Sequence, residues 1–194
     1  MDAPWPEPPA GALVVAIVGA ESTGKSTLAS ALAQRIADDT GLATCWVPEY
    51  LRTWCEAAGR TPRADEQAAI AAEQASRISA AAQRHAVVVA DTTPLVTTAY
   101  QQVLFQDTGL DAAAQAWQRR CALTLLTALD LPWQADAVRD GPHSQGPLDA
   151  RLRTLLVGGG HTFAVVRGRG PARLESAVDA VAPLLRGQIG RAHV

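Results

Sequence analysis

Residues 19–26 read Gly-Ala-Glu-Ser-Thr-Gly-Lys-Ser, the spacing G-x-x-x-x-G-K-S. Each residue type has a task if the partner is a chain of phosphates. Gly19 and Gly24 let the backbone turn sharply and bring its amides close to oxygen atoms. Glu21, Ser22, Thr23 and Thr27 fill out the stretch whose N–H groups would line the cradle. Lys25 supplies a cation for the terminal phosphates, and Ser26 a hydroxyl ligand for Mg²⁺. The expected ligand is therefore ATP with Mg²⁺.

Two carboxylates stand where they could complete such a site. Asp91 ends the apolar run Ala86–Ala90, a place suited to organising a metal's water shell. It also precedes Thr93 and Pro94, so a helix N-cap would use the same residue. Glu49 follows a second run, Ala43–Val47, and could take the proton of an attacking hydroxyl. Arg52 lies three residues on and could hold a substrate oxygen or a phosphate. Tyr50 and Trp54 are four apart and could form an aromatic wall for a flat ring. The plainer alternative is a helix start with an Arg salt bridge and two core aromatics.

The segment from about 132 to 155 is polar and dotted with Pro and Gly, then becomes helical from Leu148. It reads as a mobile lid, and Arg139, Arg151 and Arg153 are its candidate donors to a transferring phosphoryl group. A solvated loop whose arginines pair with Asp136, Asp140 and Asp149 is the competing reading. His85, His143 and His161 are dispersed and suggest no catalytic histidine.

The elements that must carry these groups alternate. Leu13–Val18, Ala43–Val47, Ala86–Ala90, Leu123–Leu126 and Thr162–Val166 read as strands. Helices are expected from Thr27 to about Ala37 (its N-terminus facing the anion), and over Ala64–Arg84, Leu95–Phe105, Asp111–Arg120 and Ala172–Leu185. That order gives an α/β fold: a three-layer sandwich with a five-stranded parallel sheet. Ligands would lie beyond the carboxyl ends of its strands. Residues 1–11 read as a disordered tail without the basic n-region of a signal peptide, 12–187 as one domain, and 188–194 as a frayed end.

The 194 residues are 48% hydrophobic and 19% charged, enough apolar content for one globular core. A net charge of -2 without a basic stripe disfavours a nucleic-acid partner. No run is long enough for membrane insertion. Cys45, Cys55 and Cys121 lack metal-type spacing and read as reduced thiols of a cytoplasmic protein. Oligomeric state has no sequence signal here.

Five segments in order carry a family resemblance: "GAESTGKSTLA", "PEYLR", "DEQ" at Asp65 to Gln67, "DTTPLVTTAY" and "DLPWQADAVRDG". Over about Leu13 to Leu185 the chain resembles the NadR-like ribosylnicotinamide kinase domain, a P-loop NTPase group often labelled as AAA family ATPases. The resemblance implies ATP-dependent phosphorylation of the 5′-hydroxyl of nicotinamide riboside, giving nicotinamide mononucleotide. It implies Gly24, Lys25 and Ser26 on ATP and Mg²⁺, Glu49 and Asp91 near the acceptor hydroxyl and metal, and Arg139 in the lid. Thr93 stands where the family pattern has a second acid, and Ser144 and Gln145 stand where related lids often carry further basic residues. Two other readings compete: a kinase for another nucleoside or vitamin alcohol, and a regulatory module whose ATP hydrolysis signals to a partner.

Overall fold

Every side chain of β1 (Leu13–Val18), β3 (Val87–Asp91) and β4 (Leu123–Thr127) is buried. Near-continuous apolar runs of this kind form where a strand is covered on both faces. β2 (Thr44–Val47) and β5 (Phe163–Val166) are only partly covered. They are the two edges of a five-stranded sheet of order β2-β3-β1-β4-β5, parallel at every pairing. This computed structural model describes residues 5–133 and 142–192.

Alternation along the strands divides the core in two. Val14, Ala16 and Val18 point to one face, with Val88, Ala90 and Leu126. Val15 and Ile17 point to the other, with Val87, Val89, Leu123 and Leu125. Helices α1 (Lys25–Thr40) and α7 (Pro171–Ala192) cover the second face through Leu28, Leu32, Ile36, Ala177, Val181 and Leu185. The first face carries α3 (Gln67–Ala82), α4 (Pro94–Phe105), α5 (Asp111–Gln118) and α6 (Gln145–Gly158). The short α2 (Tyr50–Ala58) follows β2 and packs on α3. The architecture is the expected three-layer α/β sandwich.

Helix α3 explains how an alanine-rich sequence can pack firmly. Ala71 and Ala75 are fully buried beside Ile70 and Ile78. Small side chains let the helix approach the sheet closely, and the two isoleucines fill what remains. Each fully buried isoleucine contributes about 1.5–3 kcal/mol.

Three expectations require correction. Residues 5–11 are no loose tail: Trp5 is buried in the core, and the Pro6 carbonyl accepts bonds from Ser79 Oγ and Trp117 Nε1, both at 2.8 Å. Glu7 pairs with Arg120 at 2.5 Å. An indole that large offsets the ordering of a few residues. The C-terminal helix continues through Ala192 instead of fraying at 188, and Gln188 Nε2 donates to the Gly11 carbonyl at 2.8 Å. Finally, the later part of the 132–155 segment is a packed helix, since Leu148, Leu152, Leu155 and Leu156 of α6 are buried. Residues 134–141, with Arg139, Asp136 and Asp140, lie outside the described residues.

The first correction has a measurable consequence. Trp5→Ala is expected to cost about 2–3 kcal/mol through the cavity that the lost indole leaves in the core. In thermal unfolding that is a drop of roughly 5–10 °C for a chain of this length. An unchanged melting temperature would mean that the segment contributes nothing to stability.

Candidate functional site

Helix α1, which follows β1, sits on one face of the sheet and α4, which follows β3, on the other; the first connection runs toward β2 and the second toward β4, so they leave the neighbouring β1 and β3 in opposite directions. The crevice at that switch of direction opens at the carboxyl end of β1. The phosphate-binding sequence lies there. Gly19 has φ 154°, and a Cβ on it would collide with the Thr127 hydroxyl. That contact accounts for a glycine at this position. Thr127 Oγ1 in turn hydrogen-bonds Thr23 Oγ1 at 2.7 Å and lies 3.2 Å from the Val18 carbonyl. Ser22 (φ 56°) and Gly24 (φ 74°) complete the turn, and Gly24 caps α1.

Lys25 is 8% exposed, and its ammonium reaches across the loop to the Ala20 carbonyl at 2.9 Å. Thr23 Oγ1 also donates to that carbonyl at 2.7 Å. The turn is thus pre-formed, with a cation held over it at the N-terminus of a 16-residue helix. Glu21 is held from two further elements. Tyr100 of α4 donates to its carboxylate at 3.0 Å, and Gln145 of α6 donates to its carbonyl at 2.6 Å.

Asp91 closes β3 opposite Ile17 and is 1% exposed. Burial pushes its carboxyl above the usual range, against the pull of the Ser26 hydroxyl, the Lys25 and Arg52 charges and the Glu49 main-chain N–H. Its Oδ1 has no hydrogen-bond partner among the described residues. A buried carboxylate with a spare oxygen beside a serine hydroxyl fits Mg²⁺, which takes one or two protein oxygens and leaves the rest to water and substrate phosphates. No cluster of three His, Cys, Asp or Glu occurs among the described residues, so the phosphates would have to supply most of the charge.

A cavity of about 710 Å³ runs over the loop. Residues 22–28 line it, together with Glu49 and Arg52. Leu131 and Pro132 face it from the end of β4; Gly170, Pro171 and Leu174 face it from the start of α7. The structure therefore brings Glu49 and Arg52 to the loop, with Asp91 beside Ser26. It does not bring Tyr50 and Trp54 to this cavity. Arg77 lies over the Tyr50 ring at 4.3 Å, and Arg60 over the Trp54 ring at 5.1 Å. One face of each ring is taken by a guanidinium. Arg52 also bonds Glu56 at 3.2 Å.

Two of the three lid arginines are engaged elsewhere. Arg151 pairs with Asp111, and Arg153 with Asp149 one helical turn away at 2.7 Å. The histidines of α3's end and β5's start bond Ala81 O and Gln115, respectively. Cys45, Cys55 and Cys121 form no disulfide among the described residues, and burial pushes the Cys121 thiol up to about 12.

Arg173 was missed by sequence reasoning, although it lines the cavity. Its guanidinium donates to the Thr23 carbonyl at 2.9 Å and the Gly168 carbonyl at 2.8 Å, and pairs with Asp130. Asp130 also accepts the Gly168 N–H at 2.8 Å. The clasp ties the ends of β4 and β5 to the phosphate loop. The available signals were an apolar run ending in acid, "LLTALD", and a Gly-x-Gly-Pro turn opening a helix.

The family model for an AAA domain matches residues 14–173. None of the curated proteins matches the chain in sequence. Among solved structures, NadR protein in complex with NR superposes with a TM-score of 0.71 at 22% identity. NadR in complex with NAD and AMP-PNP gives 0.69 at 24%. Each covers 89% of this chain, which spans about half of the NadR chains (50% and 49%). Thymidylate kinase from Ehrlichia chaffeensis gives 0.63 at 13% identity, covering 90% of this chain and 99% of its own. The fold is that of P-loop kinases, NadR among them, as the sequence resemblance implied. No described helix is long and apolar enough to cross a membrane.

Proposed function

The chain belongs to the AAA domain family, and from that premise we propose that it is a cytoplasmic kinase that transfers the γ-phosphoryl group of ATP to the 5′-hydroxyl of nicotinamide riboside. The observation that carries the reading is one cavity lined both by the pre-formed phosphate loop and by Glu49 with Arg52. The likeness to a NadR solved with NR supports the choice of acceptor.

In this reading the amides of residues 22–27 and Lys25 hold the polyphosphate. The apolar walls of Leu131, Pro132, Pro171 and Leu174 take the base of ATP. Ser26 and Asp91 would hold Mg²⁺, which when bound draws charge from the β- and γ-phosphate oxygens. Glu49 accepts the 5′-hydroxyl proton as the oxygen bonds to the γ-phosphorus. The bond from that phosphorus to the ADP oxygen breaks, and ADP leaves with its electron pair. Lys25 remains against the charge that develops on the transferring group. Arg52 orients the acceptor or its incoming phosphate, and Arg139 is the lid arginine. Tyr50 contributes through its packing on Arg77, behind the site.

Purified protein incubated with ATP, Mg²⁺ and nicotinamide riboside is expected to yield a product heavier by one phosphoryl group, read by mass spectrometry. Phosphorylation of another nucleoside or vitamin alcohol in the same panel, with nicotinamide riboside untouched, would reassign the substrate. ATP loss with no phosphorylated product would favour a hydrolysing switch. Glu49→Ala is expected to lower kcat by about 10²-fold with KM for ATP unchanged, the signature of a lost general base. Full turnover in that variant would transfer the role to Asp91 or to water.

A further inference from the structure

Helix α3 is mostly alanine along its buried side, yet it places one amide, Gln74, at 2% exposure under the carboxyl ends of β2 and β3. Its Oε1 accepts the Tyr50 main-chain N–H at 2.7 Å. Its Nε2 faces three carbonyls, those of Pro48, Asp91 and Thr92, each at 3.4 Å. The partners fix the orientation of the amide, since a flipped group would set donor against donor and acceptor against acceptors.

The four contacts have a pattern. Pro48 and Tyr50 flank Glu49 on either side. Asp91 and Thr92 are the end of β3, where Thr92 holds the strained φ of 68°. One side chain therefore spans the gap between the two segments that carry the carboxylates. Tyr50 N–H belongs to the first turn of α2, where the helix offers no internal acceptor, so Gln74 also settles where that helix begins. Arg77, one turn further along α3, lies on the Tyr50 ring and adds a second hold on the same residue. Nothing in this arrangement touches the nucleotide cavity, whose lining excludes Gln74.

We propose that Gln74 is a positioning residue that fixes Glu49 against Asp91 and the phosphate loop, so that the acceptor hydroxyl meets its base in line with the γ-phosphate. The proposal rests on the kinase reading above for its chemistry, and on the hydrogen bonds alone for its geometry. Gln74 takes no proton and bonds to no reactant. Its effect is transmitted through the backbone on both sides of Glu49. Displacement of a reacting group by about 1 Å is enough to cost on the order of 10² in rate.

The test replaces Gln74 with methionine, which keeps the length and volume and removes all four contacts. With ATP, Mg²⁺ and nicotinamide riboside, kcat is expected to fall on the order of 10²-fold. Affinity for a fluorescent ATP analogue should stay within about threefold of wild type, a split that general loss of structure would not give. Gln74→Glu keeps the oxygen that receives Tyr50 N–H but sets a carboxylate against three carbonyls. It should lose at least about tenfold in kcat, again with nucleotide affinity kept, and it stands in if the methionine variant does not fold. A folded variant with kcat near wild type overturns the proposal, as does a loss of nucleotide affinity in step with kcat. Should the wild-type protein leave nicotinamide riboside unphosphorylated, the substrate reading fails by itself. Crystal structures of wild type and Gln74→Met then decide the positional claim: a Glu49-to-Asp91 spacing altered by less than about 0.5 Å overturns it.

Discussion

Asparagine in place of Asp91 is expected to do two opposite things: cut phosphoryl transfer by at least about 10³-fold and raise the melting temperature. The first follows from the proposed role beside Ser26, where an amide cannot supply the charge that holds Mg²⁺. The second follows from burial. A carboxyl at 1% exposure with an unbonded Oδ1 is costly to ionise, and the nearby Lys25 and Arg52 charges do not make up the difference. Because folding raises the carboxyl's affinity for a proton, the folded state binds more protons than the unfolded one between the two pKa values. Stability is then lost as pH rises from about 4 through the folded value. The variant lacks this loss. Its advantage should be on the order of 1 kcal/mol at pH 7, or about 2–4 °C, and should shrink toward pH 4. ATP with Mg²⁺ should raise the melting temperature of the wild type more than that of the variant. A variant that melts below wild type at pH 7 would make Asp91 a structural residue of the β3 end, and the metal-site reading would fail with it.

What could be read in the sequence, and what could not, follows from how each feature is encoded. The phosphate loop was legible because its chemistry sits in eight consecutive residues, most of it on the main chain. β1, β3 and β4 were legible because burial on both faces demands uninterrupted apolar residues. Asp91 and Glu49 could be placed at the sheet edge because each directly follows such a run. The order β2-β3-β1-β4-β5 was not legible, since pairing between strands distant in sequence leaves no local mark. Gln74, Thr127 and Arg173 escaped for the same reason: each acts on a segment 17 or more residues away. Arg153 shows the opposite case. It was counted among the lid donors, although an aspartate stood four residues before it at the spacing that pairs charges along one helix. Trp5 stood out among prolines and was passed over, because composition alone assigned its neighbourhood to a tail.

Arg173→Met is expected to destabilise the protein by about 3 kcal/mol, the lower end of what breaking a buried ion pair costs. The guanidinium is 5% exposed and makes its three contacts from one planar group. Methionine fills the volume but leaves the Thr23 and Gly168 carbonyls unbonded and Asp130 without its counter-charge. Asp130 is 33% exposed, so water recovers part of the loss and holds the figure below the usual maximum. For a chain of this length the change is about 6–12 °C in melting temperature. Arg173→Lys should fare little better, because a single ammonium cannot reproduce a fork that bonds a carboxylate and two carbonyls in different directions. Asp130→Asn keeps an oxygen for the Gly168 N–H but turns an amide NH₂ toward the guanidinium and leaves that buried charge without a counter-charge, so it should also cost about 3 kcal/mol. The functional consequence runs through Thr23. That residue's carbonyl is the point at which α7 holds the phosphate loop, so affinity for an ATP analogue should fall in Arg173→Met at temperatures where the variant is still folded. If the Arg173→Met variant melts within about 2 °C of wild type, the clasp contributes less than about 1 kcal/mol and the loop must be held by Thr127, Lys25 and the contacts of Tyr100 and Gln145 with Glu21.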